Sequence, residues 1–464
     1  MQATIIFIYL FVILMVGLWA GRNIKNMNEY ATARRSFGFL AIFATLSASF
    51  IGGGFSMGNA EKVFLIGVTN IVALWGFSLK EILVARFIAP NMHHYPEAIS
   101  VGDIMEPAYG REARIFSGLF GVILCAGILG AQISAMGYIF NLYLGLDRTL
   151  GILLGCGIVI AYSTVGGMRA VVWTDIIQFV VLAAGIPLVL YFGIQNVGGL
   201  DALWDAVPAE HLMLPADPLA MIGLASLFLT FLLGETLVPP YVQRLLIGKN
   251  NREVWRGTLL SGLFSIPFFA VTGLIGLVAL ALNPSIDANL AMPYVIREAL
   301  SPVMQGIVIA AVISIIMSSA DSFLNAAAIA FSNDLVRPLR KQPLSTGASL
   351  RLARWTTLIV GVLAVIFALS INSVLDILIY SYNFWAPTVL VPLAAALLGL
   401  GVSRRRFLAG AAGGVIGVLA WKYLLASPFG IDGLVVGTLI NLTCFFAVDR
   451  QSAVRRPVVE EVLK

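Results

Sequence analysis

The side chains able to do chemistry are few in this chain, and they stand in apolar runs. In "IIMSSADSFLNAAA", Ser318 and Ser319 are followed by Asp321 and Ser322; in "GGMRAVVWTDIIQFVV", Asp175 is a lone carboxylate; in "FLLGETLVPPYVQRLL", Glu235 follows Gly234 and precedes Pro239 and Pro240. Lys80 and Glu81 are neighbours in another apolar run. Hydroxyls, carboxylates and backbone carbonyls freed from a helix are hard oxygen donors, a set that suits an alkali cation. A serine pair can also serve only to let helices pack closely. The sequence offers no nucleophile–base pair and no metal-ligand spacing. Cys125, Cys156 and Cys444 are far apart in apolar segments and read as inert buried thiols, and His93, His94 and His211 fall in loops. An enzyme is therefore not expected.

The elements that must position these groups are membrane spans. Of 464 residues, 59% are hydrophobic and 11% charged, with a mean hydropathy of +0.94, whereas soluble domains carry about 25% charged residues. At roughly 20 apolar residues per crossing, the chain divides into about 13 spans. They fall at 4–20, 37–58, 63–90, 115–144, 149–165, 170–194, 218–246, 256–282, 303–333, 352–371, 374–400, 405–424 and 432–449. Such long, uniformly apolar segments exclude barrel strands and define an all-α polytopic membrane protein. The first run lacks a basic leader region and a small-residue cleavage site, so it reads as a span.

The net charge of +5 is explained by basic loops rather than by a nucleic-acid partner. One set of alternate loops holds Arg22, Lys25, Arg34, Arg35, Arg86, Arg111, Arg114, Arg169, Arg244, Lys249, Arg252, Arg256, Arg337, Arg340, Lys341, Arg351, Arg354 and Arg404 to Arg406; the other holds only Lys62, Arg148, Arg297 and Lys422. The richer set is expected to be cytoplasmic. That places the N-terminus outside and the C-terminus inside a plasma (inner) membrane.

Two spans are interrupted, one at Gly52, Gly53 and Gly54 and the other at Gly234, Pro239 and Pro240. Backbone cannot abandon its hydrogen bonds against lipid, so broken helices must line a protected cavity. Breaks in matching positions of two halves point to a transporter with its site between them. The expected organisation is an N-terminal extra helix and loop (1–36), a first five-helix repeat (37–195), an outer loop (196–217) with a possible interfacial helix, an inverted second repeat (218–402), and two final helices with a tail (403–464). At 1.5 Å per residue, Ala48 and Ile51 lie roughly 16–21 Å into their span, near the middle of a ~30 Å core, where Ser318 and Ser319 also fall.

Asp175 and Asp321 come to similar depths by the same count, so Asp175, Ser318, Asp321 and Ser322 could form a second cation site. Either aspartate could instead be protonated or cap a backbone group. Intramembrane charges are functional by default. Glu235 at its break would favour a cationic or amino-bearing solute, and Lys80 an anionic one. Lys80 could also pair with Glu81 or another carboxylate, although adjacent helix residues face each other poorly. Tyr380, Tyr382 and Asn383 in "LIYSYNFW" offer polar and aromatic contacts, or only packing. The candidate solute contacts are Phe50, Gly53, Phe55, Asn70, Lys80, Gln132, Glu235, Tyr382 and Asn383.

Over nearly its whole length the chain resembles the solute:sodium symporter family. "YSTVGGMRAVVWTDIIQ" is similar to the stretch around that family's fifth core helix, and "MSSADSFLNAAA" to its sodium-site helix; "SASFIGGGFSMGNAEKVF" and "YVQRLL" are nearest to its choline-transporter branch. The resemblance implies a LeuT-type five-plus-five inverted repeat. It also implies a primary sodium site from the carbonyls of Ala48, Ile51 and Ile315 and the hydroxyls of Ser318 and Ser319, and in some members a second site, matched here by Asp175, Ser318, Asp321 and Ser322. In the choline branch, tryptophans cage the ligand by cation–π contacts; Asn70, Ile128 and Val238 stand at those positions here. The polar residues of the sugar branch fall on Phe50, Phe55 and Leu74.

The function expected from the resemblance is sodium-coupled secondary active symport of a small polar organic solute by alternating access. One or two Na+ would move per cycle, through a monomeric unit in the lipid bilayer. The alternatives are proton coupling through Asp175, Asp321 or Glu235, or a membrane solute sensor, against which the short tail after residue 450 argues.

Overall fold

The computed structural model describes residues 2–342, 344–370, 382 and 385–448. Among them the secondary structure is helical apart from one isolated β-bridge between Phe37 and Gly248. Seven of the described helices are long and apolar enough to cross a bilayer, and two bent pairs raise that to nine. The first bent pair is Phe39–Phe50 with Gly53–Ile66, turning by 49°. The second is Pro218–Gly234 with Pro239–Leu246, turning by 51°.

The helix Arg148–Val197 has 50 residues, about 75 Å if straight, more than twice a ~30 Å core. Gly167, at φ 48° and ψ −150°, breaks it. Only glycine adopts such a conformation at little cost, and a Cβ there would lie 2.6 Å from the Tyr30 carbonyl oxygen. The two arms meet at one partner, since Tyr162 before the bend and Thr174 after it both reach the Asp321 carboxylate. The expected spans 149–165 and 170–194 are these arms.

One expected boundary is corrected. The limits 37–58 and 63–90 end the first broken span too early: its second helix continues to Ile66, and the next helix is Thr69–Leu83. The polar residues of this helix have partners inside the protein. Ser56 donates to the Ile51 carbonyl at 3.0 Å, and the Asn59 amide donates to the Phe269 carbonyl at 2.7 Å and to Thr272 at 2.8 Å. The true punctuation is Gly67, at φ 70°. In the stretch 196–216 a seven-residue helix forms, Leu200–Ala206.

Two arginines of the basic loop set, Arg35 and Arg114, bind other loop segments. Arg35 donates to the carbonyls of Tyr95 and Ala98, Arg114 pairs with Asp103 at 2.6 Å and with Glu106, and Phe37 bonds the Ile247 carbonyl. The helix Pro302–Ile329 runs through the middle of the bundle, buried along nearly all of its length. It brings four polar side chains, Ser318, Ser319, Asp321 and Ser322, against the two broken pairs and the arms of the Gly167 bend.

Candidate ion and solute site at the two helix breaks

At the first break, Phe39–Phe50 ends, Ile51 leaves helical geometry with ψ 32°, and Gly52 turns the chain into the next helix with ψ 165°. The last carbonyls of a helix lack partners within it. Here an outside donor takes one up: the Ser319 hydroxyl donates to the Ser49 carbonyl at 2.6 Å, and to the Ile315 carbonyl of its own helix at 3.3 Å. A Cβ at Gly52 would collide with that hydroxyl and stand 3.1 Å from the Gln132 side-chain nitrogen, so glycine permits the close approach. Ala48, Ile51, Ile315, Ser318 and Ser319 are all at most 1% exposed. The structure thus sets Ser319, Ile315 and Gln132 at the break. Ser318 points its hydroxyl elsewhere, donating to Asp175 at 2.5 Å. Carbonyl and hydroxyl oxygens of this kind fit an alkali cation. Among the described residues no group of three His, Cys, Asp or Glu could hold another metal.

Asp175, Ser318, Asp321 and Ser322 do come together, but a guanidinium is with them. Arg244, fully buried, donates to Asp175 at 3.1 Å and also to the Ser322 hydroxyl. Thr45 donates to the same carboxylate oxygen of Asp175. The Asp321 carboxylate accepts from Tyr162 at 2.7 Å, from Thr174 at 3.4 Å and from Ser322 at 3.2 Å. The assignment of Arg244 to a cytoplasmic loop is therefore corrected. It lies on Pro239–Leu246, every residue of which is buried, because the second break turns this short helix back into the protein.

At the second break, Glu235 accepts from the Tyr241 and Tyr382 hydroxyls, each at 2.5 Å. The Tyr241 ring faces Lys80, whose ammonium lies 4.4 Å from it, 3.5 Å from the Phe77 ring and 5.9 Å from the Phe50 ring. Lys80 also meets Glu81 at 2.7 Å, with side chains 1% and 3% exposed. The two neighbours are thus paired, as one of the alternatives had it, which lowers the cost of burying either charge. Cation–π contacts complete the cage.

Of the candidate solute contacts, Phe50, Lys80, Glu235 and Tyr382 thus share one cluster, and Phe55 adjoins it through a ring contact with Phe77 at 5.1 Å. Gln132 belongs to the first break. Gly53 opens the helix that follows that break. Asn70 is elsewhere: it donates to Asn59 at 2.9 Å, about 15 Å along its helix from Lys80. Asn383, with Tyr380, lies outside the described residues.

Sequence reasoning missed Thr45, Ser49, Tyr162, Thr174, Tyr241 and Arg244. Thr45 and Ser49 precede the first break by one to two turns, a spacing that could have flagged them. Arg244 falls within the span limits 218–246, where an arginine is itself a functional signal.

Residues 30–419 match the sequence profile described as the Sodium:solute symporter family. The osmoregulated proline transporter OpuE of Bacillus subtilis (strain 168) is 24% identical over 94% of this chain and 92% of its own. The high-affinity choline transporter 1 of Drosophila melanogaster is 27% identical over 82% of this chain and 63% of its own. Among solved structures, a Na+-coupled sialic acid symporter in a substrate-bound outward-open state superposes with a TM-score of 0.80 at 20% identity, covering 96% of this chain and 97% of that one; this likeness is one of fold. With the profile spanning most of its length, the chain belongs to the sodium:solute symporter family.

Proposed function

We propose that this transporter imports a small polar organic solute together with sodium by alternating access. The observation that carries the reading is the Ser319 hydroxyl on the Ser49 carbonyl at the first break: a hydroxyl from the central helix meets backbone carbonyl at the interruption. Sodium would be held there by the carbonyls of Ala48, Ile51 and Ile315 and the hydroxyls of Ser319 and Ser318, the latter turning its oxygen lone pairs to the ion while it still donates to Asp175. The solute would dock between the breaks, against Phe50, Lys80, Gln132, Glu235 and Tyr382. Sodium bound beside it would raise its affinity, and the solute would raise that of sodium by the same factor. Each charge moved inward across 100 mV supplies about 2.3 kcal/mol.

The reading takes the chain as about 13 spans in a LeuT-type arrangement. Residues 37–195 and 218–402 form inverted halves, each opening with a bent pair, and 1–36 and 403–464 are additions. The functional unit is a monomer in the plasma membrane, with the N-terminus outside and the C-terminus cytoplasmic.

The test is uptake into proteoliposomes under an inward sodium gradient. L-Proline and choline, for which the relatives are named, come first, followed by other amino acids, amines, monocarboxylates and sugars. Accumulation that needs sodium supports the reading. Accumulation driven by a pH gradient in sodium-free buffer would replace sodium by the proton. Glu235→Gln keeps the shape around Tyr241 and Tyr382 and removes the charge, so solute selectivity is expected to change. An unaltered solute profile and affinity would place that carboxylate outside the solute site.

A further inference from the structure

We propose that the Arg244 guanidinium is a built-in cation occupying the place a second sodium ion would take beside Asp175, so that one sodium ion is bound and carried per cycle. The proposal rests on the sodium-coupled reading above and deepens it. Each of the three guanidinium nitrogens has an acceptor. One terminal nitrogen serves Asp175 at 3.1 Å and the Ser322 hydroxyl, the other the Pro240 carbonyl at 3.0 Å. The inner nitrogen serves the Thr45 hydroxyl at 3.1 Å and the Thr45 carbonyl at 3.3 Å.

Asp175 and Ser322 are oxygens that a second ion would need. The Asp321 carboxylate, which such an ion would also need, is engaged as well, on Tyr162, Thr174 and Ser322. The Asp175 charge is already matched within contact distance, and a sodium ion added at the same carboxylate would meet the guanidinium as a like charge. The fixed cation also does what a diffusible one could not. Thr45 belongs to the first broken pair and Arg244 to the second, so Arg244 ties the inner helices of both to the central helix through Ser322. An arginine suits this role because its planar fork is always charged and serves several acceptors at once.

The test is equilibrium binding of 22Na+ to the purified full-length protein, read as ions per chain, and it needs no solute. Wild type is expected to bind one. Arg244→Gln uncovers Asp175 and is expected to bind two. Arg244→Lys, which keeps the charge, and the double variant Arg244→Gln/Asp175→Asn, which removes both, are each expected to bind one.

Two ions on wild type would overturn the proposal while leaving sodium coupling intact. One ion on a folded Arg244→Gln would also overturn it. Absence of sodium binding by wild type would overturn the sodium-coupled reading, and this proposal with it. Should Arg244→Gln not fold, the wild-type count decides.

Discussion

Ser319→Ala is expected to raise the sodium concentration that half-activates uptake by about 10- to 100-fold. The substitution removes one oxygen. That oxygen donates to the Ser49 carbonyl, and in the proposed site it would turn to ligate sodium. A hydrogen-bonding group facing a charge is worth about 1.5–3 kcal/mol, and each 1.4 kcal/mol is about tenfold in affinity. The side chain is wholly buried and the change leaves the Ser49 carbonyl without its donor, so a loss of stability of about 1–3 kcal/mol is expected as well. Sodium titration of uptake and of the melting temperature measures both. An unchanged half-activation would remove Ser319 from the ion's ligands.

Asp175→Asn is expected to damage the protein before any transport is measured. Arg244 would remain fully buried with its charge no longer matched by the carboxylate it contacts. Breaking a buried pair by removing one partner costs about 3–5 kcal/mol, because the other charge is left uncompensated. Folded yield and melting temperature should fall together. Removing both charges, in Asp175→Asn/Arg244→Gln, should recover much of the loss, because the penalty belongs to the orphaned charge. A double-mutant cycle on melting or denaturant midpoints reads the coupling. If Asp175→Asn alone is as stable as wild type, the ion pair does not hold the two breaks together.

These two sites were unequally legible in the sequence. The interruptions could be read because glycine triplets and a Gly/Pro cluster have no place in an ordinary lipid-facing helix, and Ser318 and Ser319 because counting residues gives depth. The Gly167 bend was anticipated only as a short gap between two apolar runs. The limits at 58 and 63 were misplaced, since the helix runs on to Ile66 and its polar Ser56 and Asn59 have buried partners.

Arg244 was misassigned for a related reason. Counting basic residues in loops treats every arginine near a span end as solvated, and nothing local says that Pro239–Leu246 is buried on all sides. Its partners, Thr45, Asp175 and Ser322, come from three distant parts of the chain, and their convergence is a property of packing. Lys80 is a similar case. Its cage of Phe50, Phe77 and Tyr241 joins residues from both broken pairs, so no spacing along one helix could display it.

The most direct test is a pair of high-resolution cryo-EM maps of the purified protein in lipid nanodiscs, one in sodium and one with sodium replaced by a large organic cation. The sodium map is expected to show both helices interrupted, with a density touching the Ser318 and Ser319 hydroxyls and the carbonyls of Ala48 and Ile51 that the other map lacks. Continuous helices through Ile51–Gly52, or a sodium-dependent density only at sites remote from Ser319, would contradict the account.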